Sequence, residues 1–194
     1  MILKQINWLK LACVSALRAA YKDSATPEEY RYNADENLSK LWIWRGFPSR
    51  ILRYPQIVVQ ADPIDASIAF LGDEELKEER DESGNLKSII YFGPLKIPIS
   101  MHIEARTTTD CEILTDLTMI YVRHIFRNKF SEYGFAFTKI LIGGETQETR
   151  DNESIFKNSV KIDCYSEYEF KLDASLINTI DKINLDVEVL EVGT

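Results

Sequence analysis

Ile97-Pro98-Ile99-Ser100-Met101-His102-Ile103-Glu104-Ala105 places apolar residues at every odd position and Pro98, Ser100, His102 and Glu104 at the even ones. Side chains of a strand point alternately to two faces, so this rhythm predicts a β-strand with one buried and one polar face. Pro98 has no N–H to give a ladder, which puts that end of the strand at an edge or at its start.

Downstream, Thr107-Thr108-Thr109-Asp110 supplies helix N-cap candidates, with Thr109 and Glu112 at capping-box spacing. The helix is expected to run to about Phe130, with Ile113, Leu117, Ile120 and Tyr121 on its apolar face and Leu114, Ile125 and Phe126 beside them. Arg123, Arg127 and Lys129 crowd its last turns, where positive charge complements the helix dipole. Phe135 to Ile142 reads as a strand closed by Gly143-Gly144, and Glu145 to Ser154 as a polar loop. The longest strand follows: Val160, Ile162, Cys164, Tyr168, Phe170 and Leu172 share one face, broken only by Ser166. Lys161, Asp163, Glu167, Glu169 and Lys171 share the other. A short helix at Ser175–Asp181 and a strand at Leu185–Leu190 end the order.

Upstream, Asp73 to Glu82, Ser83-Gly84-Asn85 and Leu86 to Phe92 read as a long hairpin whose incoming arm holds seven acids and two bases. An arm so charged is expected to project from the body. Ala66 to Leu71 and Tyr54 to Val59 are shorter strands, the latter opened by Pro55. Asp23 to Asn37 is a polar connection. Before it, Ile2, Ile6, Leu9, Cys13, Leu17 and Ala20 recur at helical spacing with Lys4, Lys10, Arg18 and Lys22 off the stripe. That is an amphipathic helix docked on its own core rather than a membrane-surface helix.

Many strands with few helices between them predict an α+β fold: a largely antiparallel sheet with one long and one shorter helix on a face. The domain reading is an N-terminal helix and Trp/Arg-rich arm over residues 1–53, and an α+β domain over residues 54–194.

The 194 residues carry a net charge of −8, but residues 1–55 sum to +4 and residues 56–194 to −12. So acidic a body repels a phosphate backbone. Cys13, Cys111 and Cys164 are three and far apart, with no CxxC, CxxH or HExxH spacing, so reduced thiols and no zinc site are expected. No apolar run approaches the roughly 20 residues that span a bilayer, and Lys10 and Arg18 interrupt any signal-peptide core.

No residue of the sequence is read as catalytic, metal-ligating or cofactor-binding. His102 and His124 lack a visible Ser or Cys partner, Gly143-Gly144 lacks the glycines and base of a phosphate loop, and Glu167 and Glu169 share their face with lysines. Cys164 points inward as a small hydrophobe. The chain is read as a non-enzyme with no cofactor.

The remaining candidate is Leu41-Trp42-Ile43-Trp44-Arg45-Gly46-Phe47-Pro48-Ser49-Arg50-Ile51-Leu52-Arg53-Tyr54-Pro55. Three uses stay open: tryptophans filling a groove between the first helix and the sheet, a protein interface, or stacking on nucleic-acid bases. The partner-interface candidates are Trp42, Trp44, Arg45, Phe47, Arg50 and Arg53, with Glu78 and Glu79 of the acidic run.

Tyr54-Pro55-Gln56-Ile57-Val58-Val59, the charged hairpin, the 97–105 strand, the Asp110–Phe130 helix, Tyr133-Gly134-Phe135 and the strand ending Tyr165-Ser166-Glu167-Tyr168-Glu169-Phe170 occur in that order. In element order and hydrophobic rhythm, residues 54–172 resemble the tail-terminator (tail-completion) and neck proteins of long-tailed bacteriophages. The resemblance implies a structural virion protein, assembled in the host cytoplasm and located in the tail or neck. It implies a homo-oligomeric ring, commonly a hexamer, at the head-proximal end of the tail tube, stopping tube polymerisation and joining tail to head. The implied partners are further copies of the chain, a tail tube or sheath protein and a head-completion or neck protein. DNA would be passing cargo only, and no membrane is involved. The first ~50 residues and the charge of the hairpin depart from the compact family pattern. The alternative is a non-enzymatic adaptor domain that binds a protein through residues 41–54.

Overall fold

The computed structural model describes residues 2–46, 53–63, 75–126, 130, 136–150 and 152–173. Phe47 and Arg50, the 66–71 strand, the 175–181 helix and the 185–190 strand lie outside the described residues. The fold is α+β, a mostly antiparallel sheet with two helices. Its elements are α1 (Ile2–Lys22), β1 (Trp42–Trp44), β2 (Gln56–Ala61), β3 (Glu75–Arg80), β4 (Leu86–Ala105), α2 (Thr108–Tyr121), β5 (Ala136–Ile142), β6 (Thr146–Arg150) and β7 (Glu153–Asp173). The described residues fall into two compact units: residues 2–63 with 96–166, and residues 75–95 with 167–173.

In the larger unit the strand order is β1-β2-β4-β7-β5, with β6 also on β7. β1 runs parallel to β2, and β2 runs antiparallel to β4. Directly paired residues face the same side of a sheet. The register Ile43↔Ile57↔Ile103, with Val59↔Met101 and Ala61↔Ile99, therefore builds one apolar face. Ile57, Val59, Ile99, Met101 and Ile103 are fully buried there. α1 packs on β1 and β2 and α2 packs on α1 and β5, closing the core.

The stripe of α1 is buried at Leu9, Cys13, Leu17 and Ala20 as its spacing predicts. Tyr21 beside it is also buried; its hydroxyl reaches the Leu114 carbonyl at 3.2 Å and shares a hydrogen bond of 2.8 Å with the Thr118 hydroxyl. The 23–40 connection folds back through Tyr32 N–H to Tyr21 O at 3.1 Å. It is tied to α2 by Tyr30 Oη donating to Asp110 Oδ1 at 2.6 Å.

The N-cap of α2 is Thr107, one of the candidates in the sequence, rather than Thr109 at capping-box spacing; its Oγ1 accepts from Asp110 N at 3.1 Å, and the helix passes into a π-helical turn at Val122–Phe126. Its buried face is Cys111, Leu114, Thr115 and Thr118, continued by Val122, while Ile113 and Ile120 are exposed. Buried hydroxyls are tolerated because they are paired: Thr115 Oγ1 donates to Cys111 O at 2.7 Å and Thr118 meets Tyr21.

β4 is one strand of 20 residues through Gly93-Pro94 and Pro98. β3 pairs with it up to Phe92 and β2 pairs from Ile99 onward, so both prolines fall between those two registers. The expected loop at 145–154 is mostly β6. Arg150↔Glu153 and Thr146↔Lys157 continue the pairing Ile142↔Val160 after one irregularity at residues 143–145. Four of its five residues are exposed, so no apolar alternation announces it.

In the smaller unit β3 pairs with β4 from Glu75↔Phe92 to Arg80↔Leu86. The turn is held by the Asp81 carboxylate, which accepts from Ser83 N at 2.9 Å and Asn85 N at 2.8 Å. Gly84 there takes φ 82°, a conformation costly to residues with a Cβ.

Candidate functional site

The second face of the sheet in the larger unit gathers most of the polar chemistry. The same registers that line up the core also line up Trp42↔Gln56↔Glu104, Trp44↔Val58↔His102 and Gln60↔Ser100 on the opposite side. Sequence alternation predicts one buried face, yet Gln56, Val58 and Ser100 are fully buried and Glu104 is 1% exposed.

Glu104 is the centre of this face. Gln56 Nε2 donates to its Oε2 at 2.7 Å, Arg150 Nη1 to the same oxygen at 3.3 Å, and Lys157 Nζ lies 3.6 Å from Oε1. Arg150 Nη2 and Lys157 also bind Glu148, the arginine at 3.2 Å. The pairing with Lys157, then Arg150, holds the Glu148 carboxyl below the usual carboxylate range. Two carboxylates and two cations thus close a neutral quartet that clasps β4 to the β6–β7 hairpin.

Further along, Ser100 Oγ donates to Asp62 Oδ2 at 2.7 Å and Lys161 lies 3.6 Å from the same oxygen. His102 is half-buried on this face. Burial pushes it below the ordinary 6.5; Asp62 and Glu104 oppose the shift, and Lys161 and Lys157 add to it.

The Trp/Arg segment joins this face at one end. Trp42 and Trp44 are half-buried on either side of the buried Ile43. Their Nε1 atoms and Gln56 Oε1 are buried without a hydrogen-bond partner among the described residues. Arg53 is used internally, 5.7 Å over the Trp42 ring and 3.2 Å from Glu36. Arg45 is exposed. The groove between α1 and β1 is crossed by Arg18, whose Nη2 donates to Ile43 O at 2.7 Å while its guanidinium lies 5.2 Å over Tyr32.

Glu78 and Glu79 are in the smaller unit. Glu78 pairs with Arg80 at 2.6 Å, whereas Glu79 is bound by Lys171 and by Ser88 Oγ at 2.8 Å. Those two hydrogen bonds, Lys171 first, lower the Glu79 carboxyl below its ordinary value.

The three thiols are free and buried. Burial raises Cys111 to about 11 and Cys164 to about 12, values that make both poor nucleophiles at neutral pH. Among the described residues no three His, Cys, Asp or Glu side chains group to hold a metal ion, and no helix is long and apolar enough to cross a membrane.

Large apolar side chains are exposed on three elements: Trp8 and Leu11 on α1, Ile113 and Ile120 on α2, and Leu141 and Ile142 on β5. Sequence reading missed these surfaces and the Glu104 quartet alike. The quartet joins Glu104 to Arg150, 46 positions further along the chain, and only the fold brings them together. No family model and no curated protein matches the chain.

Proposed function

We propose that the protein is a structural virion subunit that forms a ring at the head-proximal end of a phage tail tube, terminating the tube and joining tail to neck. The observation that carries the reading is the set of exposed apolar side chains on α1, α2 and β5, each on a different element of one unit. A contiguous exposed apolar patch marks an interaction site. A closed ring needs two different patches on each copy, one to give and one to receive. The ion pairs described above tie side chains to neighbouring strands, which suits a scaffold. Electron microscopy of tails assembled with and without the chain tests the reading. Tubes capped at one end and of uniform length are expected with it, and overgrown, uncapped tubes without it. Identical tubes in both preparations would refute it.

The adaptor reading through residues 41–54 draws support from the half-buried Trp42 and Trp44, whose indole nitrogens have no hydrogen-bond partner among the described residues. Arg53 is already engaged with Trp42 and Glu36. This leaves that surface less cationic than the sequence suggests.

A further inference from the structure

Among the described residues, four buried side-chain polar atoms have no hydrogen-bond partner, and three of them belong to one face of the sheet: Trp42 Nε1, Trp44 Nε1 and Gln56 Oε1. Trp42 stands directly beside Gln56 in the β1–β2 register, and Trp44 lies two residues further along the same strand. All three side chains therefore leave the sheet on the same side. Both tryptophans are half-buried, yet each has its N–H buried while other atoms of the residue stay in water. A partly exposed ring ordinarily keeps its polar tip wet, and a buried indole N–H ordinarily has an acceptor. Gln56 is fully buried and cannot turn its carbonyl away. Its Nε2 is held by Glu104 Oε2 at 2.7 Å, and the flipped amide would set oxygen against oxygen.

We propose that Trp42, Trp44 and Gln56 form a binding site for a neutral hydroxyl group. Such an oxygen has two lone pairs to accept from indole N–H groups and a proton to give to Gln56 Oε1. An anion would meet the Gln56 oxygen and, beyond the same amide, the Glu104 carboxylate. A cation would meet two N–H donors, with the Arg53 guanidinium already 5.7 Å over the Trp42 ring. Only a neutral oxygen suits both. It has two sources. One is a trapped water, which typically makes about three hydrogen bonds to buried polar groups of this kind. The other is an alcohol or sugar whose carbons rest on the exposed parts of the tryptophans. The site stands independently of the proposed ring.

The test is nuclear magnetic resonance on the full chain with isotope-labelled indole nitrogens, the Nε1–H signals being assigned through Trp42→Phe and Trp44→Phe. If the hydroxyl is water, these protons should show dipolar cross-peaks to water, of opposite sign in the laboratory and rotating frames. If it comes from an alcohol or sugar, glycerol or glucose should instead shift the signals saturably. Gln56→Met, with folding checked by circular dichroism, should lose whichever response the wild type gives. Should that variant not fold, the wild-type measurements decide alone. No water cross-peak together with no response to glycerol or glucose would overturn the site. So would cross-peaks that place both N–H groups against acceptors of the protein itself. A saturable shift with sodium acetate and with neither neutral probe would overturn its preference for a neutral group. A folded Gln56→Met that keeps the full response would overturn the part given to Gln56.

Discussion

Gln56 Nε2 donates to Glu104 Oε2 at 2.7 Å across the β2–β4 pair, with both side chains 1% exposed or less. On its other side the same carboxylate meets Arg150 and Lys157 from the β6–β7 hairpin. A buried carboxylate costs several kcal/mol to desolvate and must be repaid by its partners. Glu104 therefore ties three stretches of chain into one register.

Removing one partner exposes that cost. Arg150→Met should destabilise the fold by about 2–3 kcal/mol, below the usual range for a broken buried pair because Lys157 remains. Adding Glu104→Gln should then cost much less than it does in the wild type, because the charge it removes is already poorly compensated. Urea unfolding of the four forms measures this, and strict additivity would rule out the coupling.

His102 makes stability depend on pH near neutrality. Burial lowers its folded value below 6.5, so between those two values the unfolded chain binds more protons than the folded one. Stability contributed by neutral His102 is complete above the unfolded value and is lost as pH falls through 6.5 toward the folded one. His102→Gln should flatten the slope of the urea midpoint across that window. An unchanged slope would show that another group causes it.

The Tyr21 hydroxyl sits between α1 and α2, bonded to Leu114 O and Thr118 Oγ1. Tyr21→Phe should cost about 1–2 kcal/mol by removing the buried partner of Thr118 Oγ1. Tyr21→Phe combined with Thr118→Val should recover part of the loss in thermal unfolding. Equal melting temperatures for wild type and Tyr21→Phe would contradict the role.

Gly143 lies where β5 gives way to β6, and a Cβ there would stand 2.4 Å from Ser159 Oγ. Gly143→Ala should destabilise by about 1–3 kcal/mol through overpacking. Ser159→Ala, which removes the clashing oxygen, should rescue most of that loss. A rescue absent in chemical denaturation would place the strain in the backbone instead.

What the sequence revealed depended on burial contrast. Ile97 to Ala105 announced itself because its helix-facing side is wholly apolar and the alternating residues are polar. The same alternation could not show that Ser100 and Glu104 are buried as well, since their cover comes from distant stretches of chain. β6 was invisible because nearly every residue of it is exposed, and β1 because three residues, Trp42–Trp44, are too short for a period. On α2, apolar counting chose Ile113 and Ile120 for the core, whereas the paired hydroxyls of Thr115 and Thr118 occupy it. The Trp/Arg segment was marked by composition, but the turning inward of Arg53 onto Trp42 and Glu36 was not.

In a closed ring one chain supplies both halves of the contact between copies. Mass measurement of the purified protein at rising concentration, followed by imaging of the largest species, tests that most directly. A single closed ring of fixed copy number, found also at one end of tail tubes, is the result expected. A protein that remains a monomer throughout and never decorates a tube end would contradict it.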